Sequence, residues 1–316
     1  MLTTETNLPI SVVIPVYNEE EVIAELYGRL KATLDRISDR YEMIFVDDGS
    51  HDTSLKKIEG LSKTDENVKY VSFSRNFGHQ LAVSAGLDAC RGEAVVIIDA
   101  DLQDPPELII DMYDKYKEGY KIVLATRSKR KGETPFKKIT AKLFYRLLKK
   151  ITDIDIPLDT GDFRLIDQSV VDYLKSMPER NKFLRGQIAW LGFNQAEVHF
   201  ERDERRFGKT KYSISKMLKF ALDGITSFSN VPLQVVTRMG LLISLVSFMI
   251  IIYALVSHFI LDKTIEGWTS LIISSAFIGG VQLFSLGILG EYIGRMNNNI
   301  LDRPTYIIDK TNVDRG

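Results

Sequence analysis

Two stretches of this 316-residue chain, Met239–Leu261 and Trp268–Gly290, contain no Asp, Glu, Lys or Arg. Each is long enough to cross a hydrocarbon core of ~30 Å as a helix. The alternative, two buried core helices, fits poorly, because runs of this length in soluble folds seldom lack charge. The link between them, Asp262–Gly267, is short, so the spans are expected to form a hairpin. Arg238 precedes the first span, Arg295 and Arg303 follow the second, and the link carries only Lys263 as a cation. That bias predicts an integral inner- or plasma-membrane protein with both ends, and the polar domain, in the cytoplasm. The first residues show no charged, apolar and small-residue order of a secretory signal, in agreement.

Over the whole chain, 45% hydrophobic and 26% charged residues describe an ordinary globular protein. The average hides a mixed, polar first 235 residues, which are long enough for one substantial domain. The expected organisation is a folded domain over 1–212, a juxtamembrane amphipathic helix over 213–235, the hairpin over 236–294 and a tail over 295–316. The single cysteine, Cys90, excludes an intrachain disulfide and a multi-cysteine metal site. A net charge of −1 gives no reason to expect a nucleic-acid partner.

Apolar strand candidates occur at Ser11–Pro15, Glu42–Val46, Val68–Phe73, Ala94–Ile98 and Ile122–Ala125, with helical patterns at Glu19–Ile37, Ser54–Leu61 and Pro106–Lys117. Alternation of this kind predicts an α/β domain: a mostly parallel sheet with helices on both faces. Tyr17-Asn18-Glu19-Glu20, Asp47-Asp48-Gly49-Ser50 and Asp99-Ala100-Asp101 each follow a strand. In a parallel sheet all three lie at the carboxyl edge, where open α/β sheets bind ligands. Singly, each could be a helix cap or turn, Asp48-Gly49-Ser50 most easily. No G-x-G-x-x-G loop follows the first strand, which disfavours a dinucleotide-binding domain.

The run Ala94–Ile98 is apolar enough to be buried on both faces, so the chain first meets solvent at Asp99 and Asp101. Two carboxylates there, with Gln103 beyond, offer oxygen ligands to a hard divalent cation that could bridge to a diphosphate. Residues 127–150 hold ten Lys or Arg against one acid, Glu133, with Phe136, Ile139, Leu143, Phe144, Leu147 and Leu148 at helical spacing. A basic amphipathic helix of this kind suits an anionic membrane interface, although it could also cover the sheet with a solvated face. Ile214–Phe228 is a second such candidate. His51 and His79 lack metal-ligand spacing and read as polar loop residues. Arg75 and Asn76 could order a ligand loop or form a capping turn. Gly290-x-x-x-Gly294 favours packing inside the hairpin, with subunit contacts and a homo-oligomer left open.

Val13–Glu20, Val46–Ser50, Ser74-Arg75-Asn76-Phe77-Gly78 and Asp99–Glu107 together resemble the family 2 glycosyltransferases of GT-A fold. With the hairpin, the chain is similar to the polyprenyl-phosphate sugar transferases, such as dolichyl-phosphate mannose synthases and bactoprenol glucosyltransferases. The resemblance implies that Pro15, Tyr17, Glu19, Val46, Asp48 and Ala100 hold the nucleotide sugar. It implies Mg²⁺ or Mn²⁺ bound by Asp99, Asp101 and Gln103. Arg205-x-x-Gly208-x-Thr210-Lys211 matches the family's Arg-x-x-Gly-x-Ser-Lys, whose Arg and Lys face the phosphates, with Thr replacing Ser. Arg127 sits where the family places an arginine for the acceptor phosphate, and Asp162 where it places a general base.

The implied reaction is inverting attack by a polyprenyl phosphate oxygen on C1 of a nucleotide sugar, with UDP-glucose and undecaprenyl phosphate as the favoured pair. Asp101 and Asp162 are its catalytic candidates. A phosphate monoester has a second pKa near ~6 and is already nucleophilic at neutral pH. Asp162 is therefore expected to position a substrate rather than to take a proton. GDP-mannose and UDP-linked N-acetylhexosamine or aminosugar donors stay open. A processive polysaccharide synthase lacks support, because Gln187-Ile188-Ala189-Trp190 has no arginine in the expected motif. A non-catalytic nucleotide-sugar-binding membrane protein is the remaining alternative.

Overall fold

A computed structural model describes residues 8–127, 160–180, 182–200, 231–259, 267–301 and 303–313. The element order is β1 (Ile10–Val16), α1 (Ile23–Leu34), β2 (Tyr41–Asp47), α2 (Ser54–Thr64), β3 (Val68–Phe73), α3 (His79–Ala89), β4 (Ala94–Ile97) and a 3-10 turn (Pro106–Leu108). There follow α4 (Ile109–Lys117), β5 (Ile122–Arg127), β6 (Thr160–Asp167), α5 (Gln168–Ser176), α6 (Leu184–Trp190), β7 (Gln195–Phe200), α7 (Val231–Phe259), α8 (Trp268–Ile300) and β8 (Ile308–Thr311).

Among the described residues, eight strands form one sheet in the order β7-β5-β6-β4-β1-β2-β3-β8. β1 pairs in parallel with β2 and β4, β2 with β3, and β5 with β7. β6 is antiparallel to both β4 and β5, and β8 to β3. Six strands thus run one way, and β6 and β8 run against them.

Alternating side chains leave the sheet on opposite faces, as the pleat requires. Ile10, Val12 and Ile14 of β1 meet Leu26 and Leu30 of α1, Ile58 of α2 and Ile109 of α4 in one core. Val13 lies in a second core with Val83 of α3, Val170 of α5 and Ile188 of α6. Helices on both faces therefore bury the central strands, and the five apolar runs of the sequence are β1 to β5. The chain has the α/β architecture expected of it, a mostly parallel sheet with helices on both faces.

Two features differ from the sequence reading. The strip assigned to a tail, 295–316, contains β8, which extends the sheet beside β3. The long helix α7 begins at Val231, inside the stretch 213–235 expected to form a separate helix. The rest of that stretch, and the basic segment after Arg127, lie outside the described residues.

The described residues 231–259 and 267–301 belong to a second compact unit. Within it, Val231–Ile250 and Phe277–Gly294 are long and apolar enough to cross a membrane. Leu241, Phe248, Leu283 and Phe284 stand exposed on these helices, a distribution that water does not tolerate over a large patch.

Candidate active site

The strand directions decide which residues meet. β1, β2, β4 and β5 end at the same sheet edge, and β6, running against them, begins there. That edge collects Tyr17, Asp48 and Asp99 after their strands, Asp162 at the start of β6 and Arg127 at the end of β5. Thr126 pairs with Thr160, so the Arg127 backbone lies beside the start of β6.

Two loops form one wall of this edge. Asn18, in the left-handed region at φ 53°, donates its backbone N–H to Ser50 Oγ at 3.0 Å. Its own Oδ1 accepts from the backbone N–H of His51 at 2.8 Å. The Glu19 N–H reaches Ser54 Oγ at 3.0 Å, and Glu20 accepts from the Thr53 N–H at 3.0 Å. Tyr17 and Glu19 are thereby fixed at the rim, partly exposed. Pro15 and Val46 are buried within their strands, and the Val46 side chain belongs to the core beneath α3.

Asp48 does something its place in the sequence did not suggest. Its carboxylate is nearly buried and accepts from Asn76 Nδ2 at 2.9 Å, the Phe77 N–H at 2.6 Å and the Gly78 N–H at 3.0 Å. Burial raises its pKa against these backbone donors. Gly49 adopts φ +68°, and a Cβ there would lie 2.4 Å from the Arg75 carbonyl carbon. The pair Asp48-Gly49 therefore clamps the Asn76–Gly78 loop, which leads directly into α3.

His79 is the first residue of α3, and its Nε2 lies 3.3 Å from Asp162 Oδ2 and 3.6 Å from Asp99 Oδ1. The sequence reading of His79 as an ordinary loop residue is thus corrected. Asp162 also meets Arg185 Nη2 at 3.2 Å and Arg164 Nη2 at 3.4 Å. Arg164 is held in turn by the Gly161 carbonyl at 2.9 Å. Neither arginine was a site candidate in the sequence. The one available signal was for His79, which follows β3 and so had to start at the ligand-binding edge.

These contacts set the electrostatics. Burial raises the Asp99 pKa, as do Asp162, Asp101 and Asp104, and despite His79 it stands at about 6. Burial works against a charged His79, yet Asp99 and Asp162 push its pKa to about 9. Asp162 is opposed by burial as well, but the His79 hydrogen bond and the Arg185 and Arg164 charges hold it well below the usual carboxylate range.

Asp99 Oδ1 is shielded from solvent and has no hydrogen-bond partner among the described residues. An anionic oxygen in that state, beside other carboxylates, suits a divalent cation. Asp101 accepts the Gln103 N–H at 3.2 Å, which orders the turn carrying the other two ligand candidates. Leu102 between them is left-handed, at φ 56°. Among the described residues no three His, Cys, Asp or Glu side chains form an enclosed metal cage. Mg²⁺ needs none when substrate phosphates complete its shell. Arg205 and Lys211 lie outside the described residues.

The profile of glycosyl transferase family 2 matches residues 11–174. An uncharacterized glycosyltransferase of Bacillus subtilis (strain 168) is 52% identical over 301 residues, covering 95% of this chain and 93% of that protein. The bactoprenol glucosyl transferase of Shigella phage SfII is 41% identical over 304 residues, covering 96% and 98%. Among solved structures, glucosyl-3-phosphoglycerate synthase from Mycobacterium tuberculosis aligns with a TM-score of 0.46 and 20% identity, over 69% of this chain and 78% of that one.

Proposed function

This chain belongs to glycosyl transferase family 2 and is a glycosyltransferase, and on that premise we propose that it transfers a hexose from a nucleotide sugar to a polyprenyl phosphate. The observation that carries this reading is the likeness to a bactoprenol glucosyl transferase along 96% of the chain, both apolar helices included. A lipid phosphate acceptor accounts for a soluble-type sheet joined to two helices of exposed apolar surface. The basic, amphipathic stretch 127–150 suits the anionic membrane interface where that lipid lies. UDP-glucose is the favoured donor and undecaprenyl phosphate the favoured acceptor.

In the proposed reaction an acceptor phosphate oxygen forms a bond to C1 as the bond from C1 to the nucleoside diphosphate breaks, inverting the anomeric centre. The diphosphate leaves with the electron pair, and no proton needs to move, because the acceptor is already ionised near neutral pH. Asp99, Asp101 and Gln103 would hold Mg²⁺ or Mn²⁺, which when bound offsets charge on the leaving diphosphate. Arg205 and Lys211 are proposed to face the same phosphates, and Arg127 the acceptor. Tyr17, Glu19 and the backbone at Pro15, Val46 and Ala100 are proposed to bind the nucleotide sugar. Asp48, spent on the Asn76–Gly78 loop, contributes by shaping that wall. Asp162 is proposed to position rather than to accept a proton, and its low pKa supports this, since a weak base makes a poor proton acceptor.

The proposed topology places residues 1–212 and both ends in the cytoplasm, with residues 236–294 as the membrane hairpin. Incubation with undecaprenyl phosphate and a panel of nucleotide sugars, with and without chelator, tests the reaction. A glucosyl-phosphoryl lipid formed from UDP-glucose and lost in chelator is the expected product. Absence of any glycolipid across the panel refutes the reading.

A further inference from the structure

We infer that Arg185 contacts the acceptor's phosphate, and that Asp162 is a positioning residue that holds Arg185 and His79 for it. The inference rests on the reaction proposed above and assigns a role to a residue that lies outside every motif in the chain.

Order along the sheet edge supplies the direction. The donor motifs follow β2, β1 and β4, which are neighbours, and β6 then β5 lie beyond β4. A nucleophile approaching C1 from the side away from the diphosphate meets the start of β6, where Asp162 stands. That nucleophile is a phosphate largely in its dianionic form near neutral pH. It must enter an edge already carrying Asp48, Asp99, Asp101, Asp104 and Asp162, so cations have to meet it there.

Among the described residues, three cationic side chains surround Asp162: His79, Arg164 and Arg185. Arg164 is 3% exposed and tied to the Gly161 carbonyl, so it serves the strand. Arg185 is 19% exposed and His79 41% exposed, so these two present their charge toward the edge. Arg185 also stands on a fixed support. The backbone N–H of Leu184 donates to Gln80 Oε1 at 3.1 Å, joining the start of α6 to the start of α3. Leu184 and Ile188 are buried in the core beneath. A planar guanidinium held this way matches phosphate oxygens in shape as well as in charge.

Asp162 then has a task that needs no proton. Its carboxylate draws His79 from α3 and Arg185 from α6 to one point and keeps both oriented before the acceptor arrives. The phosphate joins this array as a further anion, and Arg185 shares its charge between the two.

The test uses the full chain in detergent micelles with saturating donor and Mn²⁺. Undecaprenyl phosphate and a short, water-soluble isoprenyl phosphate are each varied as acceptor. Arg185→Gln is expected to raise the acceptor KM about 10- to 100-fold on both. UDP affinity, read by calorimetry with Mn²⁺, should stay within about twofold, which also reports a folded donor site. Arg185→Lys should recover part of the loss. Asp162→Asn should raise the acceptor KM too, and the double variant should be no worse than Arg185→Gln alone, as coupled residues behave. An unmoved acceptor KM, a loss of UDP affinity in its place, or fully additive effects would overturn the assignment. A loss confined to the long-chain lipid would move the contact to the isoprenoid and overturn it equally. If the unaltered chain turns over neither phosphate, the reaction itself fails and this assignment falls with it.

Discussion

Burial at Asp162 disfavours the anion, but His79, Arg185 and Arg164 outweigh it and hold the carboxyl well below its usual range. A group with a depressed pKa stays ionised above that range, so Asp162 should not titrate between about pH 5 and 9. The rate should instead rise through about pH 6 as the acceptor phosphate takes its second charge. Asp162→Asn should lower the rate at every pH and keep the rise through about pH 6. A limb near neutrality that vanishes in the variant would make Asp162 a base after all. Asp48 offers a different residue-scale check. Asp48→Ala strands the Phe77 and Gly78 N–H groups, at an expected cost of about 2–4 kcal/mol. Thermal unfolding in detergent would register this as a lower Tm. Asp48→Asn should recover only part, because an amide offers one acceptor oxygen where the carboxylate uses two.

Helix α3 carries His79 to the edge, and its seat on the sheet depends on one missing side chain. A Cβ at Gly86 would lie 2.2 Å from Val13 Cγ1. Gly86→Ala must therefore lift the helix or distort β1, with an expected loss of about 1–3 kcal/mol in unfolding free energy. UDP affinity should fall with it, since the loop clamped by Asp48 moves too; an unchanged Tm would mean that the helix has slack. At the opposite edge, Asp167 caps α5 by accepting the Ser169 N–H at 2.9 Å and pairs with Lys121 at 2.8 Å. Burial opposes its charge, but Lys121 and Ser169 lower its pKa overall. The stabilisation is thus present above the unfolded value of ~3.9 and lost as pH falls through the folded one. Asp167→Ala should cost about 1–2 kcal/mol at pH 7, and the gap in Tm should narrow in acid. Elements with one uniform environment were legible in the sequence: β1, β2, β4 and β5 are mainly apolar runs because both faces are buried, and β3 departs from them only at half-buried Lys69 and Tyr70. β6 escaped notice because Asp162 and Arg164 interrupt its run, and those charges are tolerated because Arg164 answers Asp162 along the strand while His79 and Arg185 reach it from two helices. Arg185 was illegible for a related reason, since its partner Asp162 stands on a strand that runs backwards, and His79 had only its place after β3 to mark it.

At the scale of the whole molecule, the chain returns to the sheet after its two apolar helices. β8 pairs antiparallel with β3, Val71 facing Thr311 and Ser72 facing Lys310. Tyr306 stacks on Phe73 with ring centroids 4.9 Å apart and donates to Asp88 at 2.7 Å. Asn312 accepts the Tyr70 N–H at 2.6 Å, and Arg180 reaches the Arg303 carbonyl. No apolar run announces a four-residue strand of this kind, and its meaning depends on β3 having an open edge. Residues 303–313 therefore complete the sugar-transferring domain, although 234 residues lie between Phe73 of β3 and Ile308 of β8. Removing residues 303–316 while keeping both spans should leave the protein in the membrane fraction. It should also strip β3 of its partner, exposing an edge prone to intermolecular pairing. The expected result is a Tm lower by about 10 °C, with aggregation in detergent. Tyr306→Ala should reproduce a smaller part of the fall by removing the stack alone. If the truncated protein unfolds at the original temperature and stays monodisperse, β8 adds nothing to the sheet, and the end of the chain is the tail its composition suggests.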